Sequence, residues 1–263
     1  MIDYHIHSNI STDATDPMQV LVEAAEKKGL KEICFTEHMD LDYPFQTKHN
    51  WCSDMQLYDK AIKSIKVKGD LKVKKGIEVG LKDGVYDRLN DIIDNNGLDF
   101  VIASQHLIGD EDPYFPEYYI GKDQKSVYES YLLEIFNKIS AFDNFDVVGH
   151  IGYIVRFVPY KDVKIEFLEF LDIIDEILKS VISRDKGIEL NTIAFSKFKQ
   201  SLPALNIIKR YYELGGEIIT IGSDAHTASR VGDKNKWAME LLKDVGFKYI
   251  TIFNKRQKSF LKL

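Results

Sequence analysis

Ile2-Asp3-Tyr4-His5-Ile6-His7 opens the chain as a short apolar strand that ends in two histidines. Side chains two positions apart on a strand face the same side, so His5 and His7 present their imidazoles together. Four later apolar segments also deliver histidine at their ends: Phe35-Thr36-Glu37-His38, Ser104-Gln105-His106, Val148-Gly149-His150 and Gly222-Ser223-Asp224-Ala225-His226. A carboxylate, Glu78, follows Lys75-Gly76-Ile77 in a sixth such position. The repeated pattern predicts that several strand ends converge on one polar site.

Strands alternate with helical segments along the whole chain. Apolar runs of strand length lie at 2–7, 33–36, 71–79, 100–104, 145–150, 187–191 and 218–222, with a short last one at 249–251. Helical spacing is clearest at 17–28, 127–140 and 166–183. Repeated strand–helix units imply a parallel sheet, and seven or eight of them favour a closed or distorted barrel. We therefore predict an α/β fold, a single barrel domain over 1–263, with its site at the carboxyl ends of the strands.

Local signals mark the ends of some elements. Asp16 is expected to cap the first helix, with Pro17 at its first position and Gly29 at its end. Long loops are expected at 39–53 and 107–123, and the aromatic residues of the second suit a substrate pocket. The lysine-rich run 60–75 is most simply a solvated helix and turn.

Composition narrows the class of protein. The chain has 263 residues, 44% of them hydrophobic and 29% charged, which is typical of a soluble globular protein. Its formal charge of −6 argues against non-specific nucleic-acid binding. No apolar run approaches the roughly 20 residues of a membrane helix, and the amino terminus does not resemble a signal peptide. Because Cys34 and Cys52 do not suggest a disulfide framework, we expect a cytoplasmic protein without a membrane partner.

A single His-x-His pair is more often a hydrogen-bonded feature than a pair of metal ligands. Here His5 and His7, and also Asp224 and His226, occur together with single histidines and Glu78. This mixture of nitrogen and oxygen donors predicts a multinuclear site for zinc, iron or manganese.

Three other polar residues are interpreted differently. His49 is expected to be an ordinary loop histidine outside the site. Asp13, taken alone, would be a turn or cap residue. Glu37 should face away from its neighbour His38 on a strand, so we expect it to make a structural hydrogen bond or to support a ligand.

In combination these motifs resemble the PHP superfamily, named for polymerase and histidinol phosphatase, and within it the monofunctional histidinol-phosphate phosphatases. The resemblance extends from His5 to Arg230 and implies a distorted (β/α)7 barrel with three divalent metal ions. It implies a first metal held by His5, His7, Glu78 and Asp224, a second held by the bridging Glu78 with His106 and His150, and a third held by Asp13, His38 and His226. Some relatives have histidine where Asp13 stands, which leaves the metal identity and the occupancy of the third site open.

The resemblance also implies hydrolysis of a phosphate monoester, for which we expect a metal-bridging hydroxide to attack phosphorus. Arg156 and Arg230 follow metal motifs and are predicted phosphate clamps, because guanidinium binds phosphate in a bidentate way. A surface ion pair is the alternative for each. Ser104 faces the same side as His106 and is either a further phosphate contact or simply a small strand-end residue. Asp224 and a metal-bound water are both candidates for protonating the leaving group.

The leading hypothesis is a metal-dependent phosphatase that hydrolyses L-histidinol phosphate to L-histidinol and phosphate in histidine biosynthesis. The amine and imidazole of histidinol would suit an acidic or aromatic wall, for which the loops offer Asp40, Asp42, Glu111 and Asp112. The segment Ser-Gln-His-Leu-Ile-Gly-Asp at 104–110 departs from the Ser-Val-His pattern of these phosphatases. Because of this departure, another small phosphate ester or a nucleotide is an alternative substrate. A non-catalytic metal-binding module is a minor alternative, and nothing in the sequence indicates the oligomeric state.

Overall fold

A parallel sheet of seven strands organises the molecule. The structure, a computed structural model, describes residues 1–45, 51–161, 163, 165 and 167–263. The strands follow one another around the sheet in sequence order. They are β1 (Ile2–Ile6), β2 (Glu32–Met39), β3 (Lys72–Gly80), β4 (Phe100–Ser104), β5 (Val147–Val148), β6 (Gly187–Asn191) and β7 (Ile219–Gly222). The predicted α/β fold, a distorted (β/α)7 barrel, is confirmed.

Burial explains why these strands could be located from sequence. Every residue of β1, β2, β4, β6 and β7 is buried. A parallel sheet with both faces covered needs apolar side chains on each face, so its strands read as continuous apolar runs. Strand β5 is the exception, because only Val147 and Val148 of the predicted segment 145–150 keep the strand conformation.

The barrel closes between its first and last strands through a sparser set of contacts, which we call the seam. In the described part of the chain, a single bridge joins Ile6 to Ala225, just beyond β7. There the His7 N–H donates to the Ala225 carbonyl over 2.9 Å. The buried carboxylate of Asp3 accepts from the backbone N–H groups of Ser223 at 2.8 Å and Gly232 at 2.6 Å. A side chain therefore supplies hydrogen bonds that a strand ladder makes elsewhere.

Helices connect the strands and cover the sheet. They are α1 (Met18–Lys27), α2 (Met55–Ser64), α3 (Tyr86–Asn95), α4 (Gln124–Ala141), α5 (Leu171–Ser183), α6 (Phe195–Phe198), α7 (Leu205–Glu213) and α8 (Asn235–Val245), with short 3-10 helices at Pro116–Tyr119, Tyr153–Arg156 and Phe167–Glu169. Asp54 and Asp123 cap α2 and α4 by accepting from backbone N–H groups of the first turn. None of the helices in the described residues has the length and apolar character needed to cross a bilayer.

The last strands lie outside the barrel. Strand β8 (Tyr249–Asn254) pairs antiparallel with β9 (Gln257–Lys262) in a separate two-stranded sheet. This hairpin packs at the amino ends of the barrel strands, where the Phe253 N–H donates to the Tyr4 hydroxyl over 2.9 Å and the Lys255 N–H donates to Asp99 over 2.9 Å. The segment 249–251 is thus a strand as predicted, but the barrel has seven strands and not eight.

One predicted helix cap and one predicted helix start are wrong. Helix α1 begins at Met18 after Pro17, and the Asp16 carboxylate accepts from the Ala228 N–H over 2.7 Å instead of capping the helix. Gly29, with φ +71°, does follow the end of α1 as expected. Helix α5 begins at Leu171 and not at 166, because the apolar spacing there does not reflect burial: Leu168 is 83% exposed.

The run 60–75 is only partly a solvated helix and turn. Helix α2 ends at Ser64, but β3 already begins at Lys72. Lys75 is buried, and its Nζ donates to the Asn96 carbonyl over 2.8 Å. The charge of Lys75 suggested an exposed side chain. It is buried instead, because its amine donates hydrogen bonds to acceptors inside the fold.

Candidate metal centre

The carboxyl ends of the strands bring the nine predicted ligands into one cluster. His5 lies in β1, His38 in β2 and Glu78 in β3, and the others follow strand ends: His7, Asp13, His106, His150, Asp224 and His226. Six of the nine side chains are at most 9% exposed, and the most exposed are Asp13 at 28% and His226 at 25%. The cluster therefore forms the floor of an opening at this end of the barrel.

One group consists of His5, His7, Glu78 and Asp224. The two Nε2 atoms lie 3.0 Å apart and are 3.3 and 3.4 Å from Glu78 Oε2. Asp224 Oδ1 lies 3.8 Å from His5 Nε2 and 3.5 Å from His7 Nε2. Four donors arranged as a tetrahedron around a zinc ion at its usual bond lengths lie about 3.3 Å apart. The spacing therefore fits donors that share one metal.

Glu78 also faces a second group through its other oxygen. Glu78 Oε1 lies 2.7 Å from His150 Nε2 and 3.4 Å from His106 Nε2. The hydroxyl of Ser104 donates to the same oxygen over 2.6 Å, which fixes the rotation of the carboxylate. Glu78 Oε2 faces His5 and His7 and also lies 3.1 Å from His38 Nδ1. Because its two oxygens point at different sets of imidazoles, Glu78 has the geometry of a bridging ligand.

A third group lies nearest to solvent. Asp13 Oδ2 is 2.9 Å from His226 Nε2 and 3.5 Å from His38 Nε2. His7, His38 and His226 also place ligand atoms within 4.8 Å of one another. Asp13 is therefore not merely a turn residue, because its carboxylate points at two imidazoles.

The carboxylates of the cluster pair with imidazoles of the same cluster. In the described residues, the ion-pair partners of Asp13, Glu78 and Asp224 are all imidazoles. Burial opposes ionisation of Glu78, but His5 and His106 hold its pKa well below its usual range. Burial lowers the pKa of His7 to about 3, and His38 and His226 act in the same direction. Burial opposes protonation of His5, His38, His106 and His226, but nearby carboxylates raise the pKa of each of these imidazoles. Without metal the cluster therefore holds ionised carboxylates beside protonated imidazoles, whose protons a bound divalent metal would displace.

Glu189, which the sequence analysis did not select, supports the cluster from β6. It is 1% exposed, and its Oε1 lies 2.7 Å from His5 Nδ1. Its Oε2 accepts from the His150 N–H over 2.9 Å and from the Asn191 side-chain amide over 3.1 Å. A carboxylate on Nδ1 leaves Nε2 of His5 free for a metal. A glutamate within the otherwise apolar run Gly187-Ile188-Glu189-Leu190 was the available signal.

Asp40 has a comparable place beside His106. Its Oδ1 lies 2.6 Å from His106 Nδ1, and its Oδ2 lies 3.5 Å from His38 Nδ1. His38, Asp40 and His106 also form a set of potential ligands within 4.8 Å of one another. Asp40 thus belongs to the cluster of potential ligands and also lines the opening.

Glu37 holds the loop after β1, as the sequence analysis expected. Its buried carboxylate accepts from the backbone N–H groups of Ser8 and Ser11 at 3.1 Å and from both hydroxyls at 2.5 Å. The Ser11 hydroxyl in turn accepts from the His38 N–H over 3.0 Å. Glu37 therefore anchors the loop that leads to Asp13.

Glycines make room for these carboxylates. A Cβ at Gly222 would overlap Glu189 Oε1 and His5 Cβ, and a Cβ at Gly80 would overlap Asp40. Asp224 has a left-handed backbone with φ +52°, a conformation that is uncommon outside glycine but that aspartate adopts more readily than most residues. Small residues and an uncommon backbone conformation therefore occur where polar side chains point into the cluster.

A cavity of about 410 Å³ lies above the cluster. Its walls are largely aromatic and come from the loops after β2, β4 and β5: Tyr43, Trp51, Tyr114, Phe115, Tyr153 and Phe157. The predicted aromatic loop 107–123 therefore does contribute to the pocket. Arg156 also lines the cavity, and its guanidinium lies 5.1 Å from the ring centre of Tyr153 and 5.2 Å from that of Phe157. No carboxylate among the described residues pairs with Arg156, so a cation without an ion-pair partner in that part of the chain lines the cavity.

The other two predicted phosphate contacts lie elsewhere. Arg230 does not line the cavity; its guanidinium pairs with Asp233 at 2.8 Å and donates to the Ser196 hydroxyl over 3.0 Å. This is the ion-pair alternative, and a phosphate role for Arg230 stays a prediction. Ser104 is fully buried and donates to Glu78, so its hydroxyl supports a ligand and is not open to phosphate.

The acidic residues suggested for a substrate wall divide into two sets. Asp40 and Asp112 line the cavity, and Asp112 accepts from the Tyr43 hydroxyl and from the Tyr114 N–H. Asp42 instead pairs with Arg88, and Glu111 pairs with Lys122 at the surface, so these two suggestions are wrong. His49 lies outside the described residues.

Comparison with known proteins agrees with this geometry. A family model described as the PHP domain matches residues 3–193. The chain is 34% identical over 256 residues to a histidinol-phosphatase of Lactococcus lactis, covering 96% of this chain and 94% of that protein, and 33% identical to a probable histidinol-phosphatase of Clostridium acetobutylicum, covering 97% and 98%. A crystal structure of histidinol phosphate phosphatase from Lactococcus lactis with zinc, L-histidinol and phosphate superposes with a TM-score of 0.91 at 33% identity, covering 98% of each chain.

Proposed function

This chain belongs to the PHP domain family, and from that membership we propose that it is a metal-dependent histidinol-phosphatase. The reaction is hydrolysis of L-histidinol phosphate to L-histidinol and phosphate, a step of histidine biosynthesis. The observation that carries the proposal is the cluster of nine ligand residues on the floor of an aromatic cavity that also holds Arg156. The similar Lactococcus lactis structure, which contains zinc, L-histidinol and phosphate, supports the choice of substrate.

Three divalent metal ions fit the donor set. His5, His7, Glu78 and Asp224 would hold the first, Glu78, His106 and His150 the second, and Asp13, His38 and His226 the third. The separate directions of the two Glu78 oxygens support sharing between the first two sites. Imidazole and carboxylate donors suit zinc, iron or manganese. When bound, such ions lower the pKa of a coordinated water and neutralise phosphoryl charge.

Different residues of the cavity would contact the two ends of the substrate. Arg156 would bind the phosphate, because its fork of N–H donors matches two phosphate oxygens and it has no competing carboxylate in the described residues. The aromatic walls would contact the imidazole ring of histidinol. Asp112 lies among those aromatic residues and offers a carboxylate to the ammonium group.

Proton transfer to the leaving alcohol is the remaining requirement. Asp224 Oδ1 lies 3.5 Å from both His7 Nε2 and His226 Nδ1, and Asp224 also lines the cavity. Burial opposes its ionisation, but His5 and His7 hold its pKa well below its usual range, so it is ionised and suited to ligation or to orienting a water. We therefore assign Asp224 to metal binding and leave acid catalysis to a water held beside it.

We also place the whole of 1–263 in one domain, located in the cytoplasm. The hydrogen bonds of Phe253 with Tyr4 and of Lys255 with Asp99 support a hairpin that belongs to the barrel. Cys34 and Cys52 are not joined by a disulfide, which agrees with a reducing compartment.

The test is phosphate release from L-histidinol phosphate, measured beside nucleotide and sugar phosphates with zinc-loaded, manganese-loaded and chelator-treated protein. We expect a strong preference for histidinol phosphate and loss of activity after metal removal. The double variant H5A/H7A should lose bound metal and activity while keeping its circular dichroism spectrum. Preference for another ester would retain the metal chemistry and reject the substrate. Metal binding without hydrolysis of any ester would favour a non-catalytic module.

A further inference from the structure

Glu189 accepts hydrogen bonds at both of its carboxylate oxygens. Oε1 faces His5 Nδ1 at 2.7 Å, while Oε2 receives the His150 N–H at 2.9 Å and the Asn191 amide at 3.1 Å. All of these groups are buried. The geometry around this residue constrains the protonation of His5, one of the proposed metal ligands.

The donors at Oε2 are fixed in direction. The His150 N–H belongs to the backbone and can only donate. The Asn191 side chain is oriented by its own oxygen, which accepts from the Ile193 N–H over 2.9 Å, so its NH₂ group must face Glu189. Only an acceptor can therefore occupy the position of Glu189 Oε2.

The contact at Oε1 then sets the tautomer of His5. A carboxylate oxygen can only accept, so His5 must carry a proton on Nδ1. Its Nε2, which points at His7, Glu78 and Asp224, is then the ring nitrogen available to a metal. We infer that Glu189 is a positioning residue that selects the metal-binding tautomer of His5, an inference that rests on the proposed metal centre.

The substitution Glu189→Gln is predicted to reverse that choice. The fixed donors at the position of Oε2 require the oxygen of the new side-chain amide, which turns its NH₂ group toward His5 Nδ1. His5 must then accept at Nδ1 and carry its proton on Nε2, where a metal would bind. The substitution keeps the size of the side chain but removes one metal ligand.

Asp40 provides a matched control. It also places a carboxylate oxygen on a ligand imidazole, 2.6 Å from His106 Nδ1. Its Oδ2, however, makes no hydrogen bond among the described residues, because its neighbour His38 Nδ1 lies 3.5 Å away, beyond an ordinary hydrogen-bond length. Asparagine in Asp40→Asn can therefore keep its oxygen on His106 and turn its NH₂ group to the other side. Both substitutions remove one negative charge beside a metal ligand, but only Glu189→Gln conflicts with fixed donors.

The experiment compares wild type, Glu189→Gln and Asp40→Asn. Zinc retained per chain is measured against a competing chelator, and the melting temperature of each metal-free protein reports on the fold. We expect zinc affinity to fall about 100-fold in Glu189→Gln and about 10-fold or less in Asp40→Asn, within the range for residues that orient metal ligands. Equal losses in the two variants would show that charge and not tautomer is responsible, and would overturn the inference.

Nitrogen-15 NMR of the imidazoles tests the tautomer directly. With His5 assigned through the variant His5→Ala, we expect its Nδ1 to be protonated in the wild type and unprotonated in Glu189→Gln. An unchanged His5 Nδ1–H in Glu189→Gln would overturn the inference. This measurement uses metal-free protein, so it remains decisive even if the wild type hydrolyses no ester or binds no zinc, outcomes that would reject the proposed function instead.

Discussion

Replacing Gly222 by alanine should damage both the barrel and the metal centre. The added Cβ would lie closer than 3.0 Å to Glu189 Oε1 and to His5 Cβ, a distance that real Cβ atoms do not show. To reach ordinary van der Waals contact, each neighbour would have to retreat by about 1 Å within a close-packed interior. Since His5 and Gly222 belong to β1 and β7, neither can retreat without disturbing the sheet.

The expected magnitude follows from that overlap. Overpacking of a rigid site costs about 2–3 kcal/mol, which corresponds to a fall in melting temperature of about 5–10 °C for a protein of this size. Displacement of Glu189 from His5 should further weaken zinc binding by about 10- to 100-fold. The first effect appears in metal-free protein and the second only when zinc is titrated.

The assay is thermal unfolding with and without zinc, together with competition against a chelator. Gly69→Ala is the control, because a Cβ at Gly69 meets nothing within 4 Å and its φ is not positive. That variant should be unchanged or slightly more stable, since alanine restricts the unfolded chain. If Gly222→Ala unfolds within about 1 °C of the wild type and binds zinc equally well, the packing argument behind it is wrong.

Three further outcomes are expected. Arg156→Lys should lower kcat/KM for histidinol phosphate by about 10- to 100-fold in steady-state assays. Arg230→Lys should lower it less than about threefold, because Arg230 pairs with Asp233 outside the cavity. Equal losses in the two variants would contradict this ranking. Asp112→Asn should raise KM for histidinol phosphate about tenfold while leaving hydrolysis of p-nitrophenyl phosphate, which has no ammonium group, nearly unchanged; parallel losses on both substrates would exclude an ammonium contact. Burial raises the pKa of Cys52 to about 11, so its alkylation rate should increase about tenfold per pH unit from pH 8 to near 11; a plateau near pH 8.5 would show an ordinary thiol.

The barrel and eight of the nine candidate ligands were predictable because they repeat one signal, whereas Asp13 was implied only by the family resemblance. Each buried strand is an apolar run, and polar residues stand at its carboxyl end, where they cannot belong to the core. His5, Glu78 and His106 could thus be placed on one edge of a sheet before any distance was known. The same logic located β4 and β6 to the residue.

The supporting residues were harder to predict, because their role depends on contacts between distant strands. Glu189 lies 184 positions from His5 in the chain, and only the register of the sheet brings them together. Arg156 and Arg230 have similar sequence contexts, yet Arg156 lines the cavity whereas Arg230 pairs with Asp233, and the phosphate role of each stays a prediction. The capping role expected of Asp16 is wrong for a related reason. Its carboxylate accepts a hydrogen bond from the Ala228 N–H, which follows β7 in the chain.

The seam gives the metals a role in holding the barrel together. Its strands share far fewer backbone bonds than β2 and β3, which are paired over eight residue positions. His5 and His7 lie on one side of the seam and Asp224 on the other, so a shared ion would cross-link the two edges. Amide hydrogen exchange at His7 and Ala225 should therefore accelerate on chelation, while amides of the β2–β3 ladder keep their protection. The concentration of free metal would then set how often this end of the barrel opens, and not only whether the centre is loaded.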